Sequence, residues 1–288
     1  MKSKNTTATD IRAAIDIGSN SVRLAMSDGE RRSHITKLAN GIESTSRLSP
    51  SGITATVAAL AEYAKICAEK GCKKIAVFAT EAVRRAKDGL DFCKLVKDST
   101  GLTVVIASPE TEARLALYGA VKPQGCVTVA DLGGGSMEVI SSRDGVTPDL
   151  AKSLPLGVVV LKNKFQGDYR AAIDAAPSLL DGYGNIPDYP LVMSGGSACA
   201  IAAAIINLAV YDRAKINGVK ISAKELDDNM PLLLHKNLAL FRPVAANRAD
   251  TIPYGAIIIQ ALVNRIGANE FYVSDSGNLE AMLGGFEF

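Results

Sequence analysis

Residues 14–25 read A-I-D-I-G-S-N-S-V-R-L-A, and residues 129–140 read V-A-D-L-G-G-G-S-M-E-V-I. Laid over one another, they share an Asp closing an apolar run (Asp16, Asp131), a Gly two places on (Gly18, Gly133) and a Ser three beyond that (Ser21, Ser136). Apolar residues then resume in alternation. Each copy reads as strand, tight turn, strand, with small turn residues that let backbone amides approach an anion closely. A carboxylate precedes each turn, so the doubling suggests a phosphate and a divalent cation gripped from two sides.

Outward from the first copy, residues 11–17 form a buried strand and Ser21–Ser27 its hairpin partner. Residues 31–42 continue as strand and turn around Asn40-Gly41. Val57, Leu60, Ala61, Ala64 and Cys67 recur at helical spacing over 54–70, and Gly71 supplies the stop. Lys74–Ala79 is a β-branched strand delivering Thr80 to a loop. Asp88 then caps a helix with Phe92, Leu95 and Val96 inward, and 103–107 is a further strand. Ser108-Pro109 opens another helix, with Glu110 and Glu112 in its first turn and Leu115, Leu117 and Val121 inward. Strands separated by helices indicate an α/β domain with a partly parallel sheet.

Pro123-Gln124-Gly125 marks the expected domain boundary, giving domains at 1–123 and 124–288, with the last helix able to pack back on the first. The second half repeats the hairpin. It continues with strands at 150–156, 191–193 and 271–274. Helices follow Gly195-Gly196 and the capping box Ser222-x-x-Glu225, and fill 253–266 and 278–283. The expected fold is two similar α/β domains facing across an interdomain cleft.

Composition narrows the functional classes. The 288 residues, 48% hydrophobic, suffice for two packed cores. A net charge of +2 demands neither nucleic acid nor membrane as partner. Cys67, Cys72, Cys93, Cys126 and Cys199 form no C-x-x-C pair, which fits reduced thiols in a cytoplasmic protein. The polar N-terminal stretch lacks the apolar core of a signal peptide. The apolar stretches 201–210 and 256–266 fall short of the roughly 20 residues that span a bilayer.

The motifs D-I-G-S-N-S-V-R-L, A-T-E-A-V-R-R-A, E-T-E-A-R-L, D-L-G-G-G-S-M-E, L-P-L-G and V-S-D occur in this order. Together they resemble the exopolyphosphatase / guanosine pentaphosphate phosphohydrolase family of the actin-like ATPase superfamily, whose domains are ribonuclease H-like. The resemblance runs from about residue 11 to about residue 283. It implies Mg²⁺-dependent removal of a terminal phosphate from polyphosphate, or of the γ-phosphate of guanosine pentaphosphate, with Mn²⁺ an alternative metal. Longer members carry a further helical His-Asp type domain. With only His34 and His235 in the chain, that domain is expected to be absent, leaving a shorter channel. A homodimer is a further expectation.

Phosphoryl transfer leaves a protein chiefly positioning and charge neutralisation. Gly133, Gly134, Gly135 and Ser136 would offer amides and a hydroxyl to one phosphate. Gly18, Ser19, Asn20 and Ser21 would do so for another. Asp131 and Glu138, with Asp16 as a third candidate, would hold the metal through oxygen and retained water. The resemblance makes Glu112, directly before Ala113-Arg114, the residue that activates the attacking water. Without it, a Glu in a helix's first turn reads as a plain capping charge. Arg84 stands where the family has a phosphate-meeting Arg. Arg23 takes the repeat position of Glu138 with opposite charge. Gly195, Gly196 and Ser197 resemble the superfamily's nucleotide-meeting glycine loop or, equally, an ordinary helix start, and Arg248 is a candidate for a further contact. Pro109, Glu81, Val160, Ser276 and Leu279 depart from the family pattern; the last three replace Arg and thin the expected phosphate channel.

Other phosphate chemistries lack their residues. No G-x-x-x-x-G-K-[ST] loop occurs, no Cys is followed six places on by Arg, and no G-x-S-x-G elbow is present. A kinase of the same superfamily and a non-catalytic alarmone sensor stay open as alternatives.

Overall fold

A computed structural model of the chain describes residues 10–120, 123–235 and 248–285. It divides into two compact units, Met1–Ile106 and Ala107–Phe288. The first is built on a five-stranded sheet of β1 (Arg12–Ile17), β2 (Ser21–Met26), β3 (Arg31–Ile35), β4 (Lys74–Ala79) and β5 (Val104–Ile106), in the order β3-β2-β1-β4-β5. The hairpin strands pair antiparallel, and β4 and β5 add in parallel. Two-fold alternation along β1 sends Ala13, Ile15 and Ile17 into a core shared with α2 (Pro50–Glu69) and α4 (Gly89–Thr100). Asp16 and its cross-strand neighbour Arg23 therefore lie on the sheet's other face.

The second unit repeats this plan with an added edge. Its strands are β6 (Val127–Leu132), β7 (Met137–Ser142), β8 (Leu150–Leu154), β9 (Leu191–Ser194), β10 (Val219–Ser222) and β11 (Glu270–Ser274). Their order, read from β8, is β8-β7-β6-β9-β11-β10. β6 takes the place of β1, its hairpin partner β7 that of β2, and parallel β9 that of β4. One face carries the larger core, closed by α6 (Val158–Phe165), α7 (Tyr169–Leu179), α8 (Gly196–Ile205), α10 (Ala223–Leu233) and α11 (Ile252–Ile266). The other is covered by α5 (Pro109–Gly119), whose Ala113, Ala116 and Leu117 bury against Val127, Val129, Ile140 and Val192.

That packing moves the boundary. The pattern of the chain places it at 123/124, whereas the compact units part at 106/107, because α5 belongs to the second sheet. An amphipathic helix shows which side is apolar but not which sheet it covers. The closing helix α12 (Asn278–Leu283), expected to be able to pack back on the stretch 1–123, does so through α5, the part of that stretch that belongs to the second unit.

Local expectations hold unevenly. Ser49 caps α2 and accepts from Gly52 N at 3.2 Å, so the helix begins at Pro50, earlier than its apolar pattern indicates. Ala61 is exposed on that helix, and Leu95 is 43% exposed on α4. Asp88 precedes α4 but spends its carboxylate on Leu48 N, at 3.1 Å, rather than on the helix's own amides. Thr80 leads into α3 (Glu81–Arg85) rather than a loop, because β4 runs directly into a helical turn. The capping box at Ser222 and Glu225 is present as expected. The short helices α1 (Ile42–Thr45) and α9 (Arg213–Ile216), helices α6 and α7 and strand β10 are additions to the elements that the pattern predicts. Val121 and the N-terminal stretch lie outside the described residues.

Gly119, at the end of α5, has no room for a side chain, since a Cβ there would stand 1.9 Å from the Gly277 carbonyl oxygen. Backbone meets backbone, so a methyl group must part the two elements. Overpacking of this kind costs about 1–3 kcal/mol. Gly119→Ala should lower the unfolding free energy measured by urea denaturation by that amount, whereas Gly101→Ala, whose Cβ would meet nothing within 4 Å, should cost only the strain of its left-handed φ of 75°.

Candidate active site

In the first hairpin Gly18 N donates to Ser21 O at 3.0 Å. The Ser19 carbonyl accepts from Ala39 N at 2.9 Å, and the Asn20 carbonyl from both Thr36 N and Lys37 N at 3.0 Å. The turn's carbonyls are thus drawn toward residues 36–39. The amides of Ser19 and Asn20 take no acceptor among the described residues.

The second hairpin closes with the same bond, Gly133 N to Ser136 O at 2.9 Å. Here the first-turn amides of α6 hold the carbonyls: Val158 N donates to Gly133 O at 3.1 Å and Val159 N to Gly134 O at 2.9 Å. Gly157 permits this approach, because a Cβ would sit 2.1 Å from Gly134 O. The L-P-L-G motif is therefore the brace of the second loop. With the carbonyls engaged, the amides of Gly134, Gly135 and Ser136 take no acceptor among the described residues. Successive unengaged amides in a tight bend make an anion-binding nest.

The loops diverge in charge. Asp16, 3% exposed, is paired with the Arg23 guanidinium, whose Nε stands 3.1 Å from Oδ2 and whose Nη2 also reaches it. In the second unit Glu138 replaces Arg23, so Asp131 faces another carboxylate in register. Each accepts a hydroxyl: Ser194 Oγ donates to Asp131 Oδ1 at 2.9 Å and Ser153 Oγ to Glu138 Oε1 at 2.6 Å. The strand registers line up Ser153, Glu138, Asp131, Ser194 and Ser274 across the sheet. Alternation along β6 sets Asp131 on the same face as Val127 and Val129, the face that α5 covers.

Glu112 rides on α5, over that same face. Ser108 caps the helix, its side chain accepting from Thr111 N at 3.2 Å, and Glu112 falls in the first turn. It is only 5% exposed, whereas Glu110 beside it is exposed. A plain capping charge would be solvated, so burial sets Glu112 apart. Pro109 is accommodated at the helix start, where its missing N–H costs nothing.

Arg84 is half-buried in α3 of the first unit. The departure at Glu81 has a structural partner: Arg85 bonds Glu81 at 2.5 Å and Glu43 at 3.0 Å. Donating to Glu43 and, secondarily, to Glu81 raises the Arg85 proton affinity above its usual range. Gly195 and Gly196 sit at the end of β9 beside Asp131. A Cβ on Gly195 would meet Leu132 O at 2.3 Å, and one on Gly196 would meet Arg248 Nη1 at 2.3 Å. Arg248 thus lies over the glycine pair, a juxtaposition across 52 residues of sequence that no local pattern could reveal. Ser276 accepts from Arg213 Nη2 at 3.0 Å, and Leu279 is buried on α12.

Among the described residues no group of three or more His, Cys, Asp or Glu is clustered as a metal site. Mg²⁺ does not need one, since it commonly uses one or two carboxylates and keeps several waters. Two carboxylates directly opposite on adjacent strands repel each other. The oxygen donors of Asp131 and Glu138 suit a divalent cation, whereas Asp16 pairs with Arg23.

Two duplicated sheets, each with a glycine-rich hairpin bend, define a two-domain actin-like fold. The sequence pattern of the Ppx/GppA phosphatase family matches residues 17–285, and the chain belongs to that family. It is 26% identical to exopolyphosphatase 2 of Mycobacterium tuberculosis, over 94% of this chain and 96% of that protein. It is 32% identical to exopolyphosphatase 1 of the same organism over 54% of this chain, a match spanning about half (48%) of that relative's length. The crystal structure of the Aquifex aeolicus Ppx/GppA family member superposes with a TM-score of 0.80 at 30% identity, covering 95% of this chain and 96% of that one.

The Asp16–Arg23 pair is asymmetric: the Arg23 side chain is 39% exposed and that of Asp16 4%. Arg23→Ala would strand a buried carboxylate, whereas Asp16→Asn leaves an Arg that can turn to solvent. Urea denaturation should therefore show the larger loss for Arg23→Ala, up to about 3 kcal/mol, and a smaller one for Asp16→Asn.

Proposed function

We propose that the chain is a Mg²⁺-dependent phosphohydrolase that releases terminal phosphate from inorganic polyphosphate, ahead of the γ-phosphate of guanosine pentaphosphate. The observation that carries this reading is the buried Glu112 on a helix covering the sheet face that bears Asp131 and Glu138. Glu112 takes a proton from water as its oxygen attacks the terminal phosphorus, and the bridging P–O bond breaks to leave the polymer one unit shorter. The amides of Gly134, Gly135 and Ser136 stabilise charge on the transferring group. Bound Mg²⁺ would supply further neutralisation of phosphate charge, held by Asp131 and Glu138.

The names of the curated relatives support polyphosphate as substrate. All five cysteines are free thiols, which supports a cytoplasmic setting. Among the described residues no helix is long and apolar enough to cross a membrane.

Glu112→Gln should lower phosphate release from polyphosphate by roughly 10²- to 10⁴-fold, the usual contribution of a general base. Folding, followed by circular dichroism, should be unchanged. Release that survives at the wild-type rate would remove Glu112 from the mechanism. Assays with short and long polyphosphate, guanosine pentaphosphate and ATP, each with and without Mg²⁺, rank the substrates. Phosphate transfer from ATP that requires an added acceptor would make the chain a kinase instead.

A further inference from the structure

We propose that Ser153 and Ser194 are positioning residues that fix the two carboxylates of the metal site, an inference that rests on the Mg²⁺-dependent reading above. Ser153 belongs to none of the motifs that mark the family resemblance. It stands on β8, directly opposite Glu138, and its hydroxyl donates to Oε1 at 2.6 Å. Ser194 stands on β9, opposite Asp131, and donates to Oδ1 at 2.9 Å. The order across the sheet is thus hydroxyl, carboxylate, carboxylate, hydroxyl. Each outer strand supplies one donor to the acid beside it.

The first unit serves as an internal comparison, because it carries the same strands without the same row. There Asp16 faces Arg23, and the position on β4 that corresponds to Ser194 is Phe78. The β3 residue opposite Arg23, Ser33, is exposed. The first unit therefore keeps a hydroxyl at the position of Ser153, but it faces a cation, and it has no hydroxyl at the position of Ser194; hydroxyls that donate to both acids accompany only the pair of like charges. A hydroxyl donating to one carboxylate oxygen narrows the orientations open to each acid. The 2.6 Å bond from Ser153 restricts the rotamers of the longer Glu138 side chain. Partners of this kind commonly tune metal affinity by roughly 10- to 100-fold.

The test is metal binding by the whole chain without substrate: Mn²⁺ by electron paramagnetic resonance and Mg²⁺ by calorimetry. Ser153→Ala and Ser194→Ala should each weaken both metals by roughly 10- to 100-fold. The Mg²⁺ concentration for half-maximal phosphate release should rise in step, while the rate at saturating Mg²⁺ returns toward wild type. Ser153→Thr, which keeps the hydroxyl, should restore the affinity. Unchanged affinity in Ser153→Ala would overturn the proposal, as would an equal loss in Ser153→Thr, which would point to packing. A wild type that binds neither metal overturns both this proposal and the metal-dependent reading. A wild type that binds metal with the expected Ser153 dependence, yet releases no phosphate, leaves the positioning role standing and defeats the hydrolase.

Discussion

Two carboxylates held side by side on adjacent strands repel each other, and the second unit is arranged around that repulsion. Asp131 and Glu138 oppose each other in register, with serine hydroxyls bound on their outer flanks. Tyr183 donates to the Met137 carbonyl beneath them. Its hydroxyl is held protonated by burial and, secondarily, by the Glu138 charge. Above the same face, α5 buries Glu112.

The duplicated hairpin shows how one backbone device serves two electrostatic ends. Both turns close with the same amide-to-carbonyl bond, and Gly18 and Gly133 face the same limit, a Cβ 3.2 Å from the serine carbonyl. In both, neighbouring amides engage the bend's carbonyls, and the next amides of the bend take no acceptor among the described residues. The braces differ: residues 36–39 serve the first turn and the start of α6 the second. Charge differs too, since Arg23 stands opposite Asp16 in the first unit where Glu138 stands opposite Asp131 in the second.

Much of this was legible along the chain. The repeated Asp, Gly and Ser positions indicated two related hairpins, and both exist with the expected strands. The Ser108-Pro109 start and the Ser222 box were readable because capping is settled within four residues. Leu95 and Ala61 were misread because helical spacing alone marks apolar residues and not which of them meets a neighbour. Glu112 could be singled out only by family resemblance, since its local setting matches any first-turn carboxylate. Its burial depends on what α5 covers. Arg248 was a candidate in the sequence, but its place over Gly196, like that of Ser153 beside Glu138, had no local signal, being set through strand order and distant loops.

The sequence by itself determined the local periodicities, the two bends and the chemistry of the acids that precede and follow them, because such features arise from neighbours a few residues apart. Tertiary structure alone decided that α5 joins the second sheet and that Ser153 and Ser194 come to flank the paired acids. Strand register and helix docking are set by the burial of apolar faces across long chain separations, where many partners satisfy the same pattern and only the packed whole selects one.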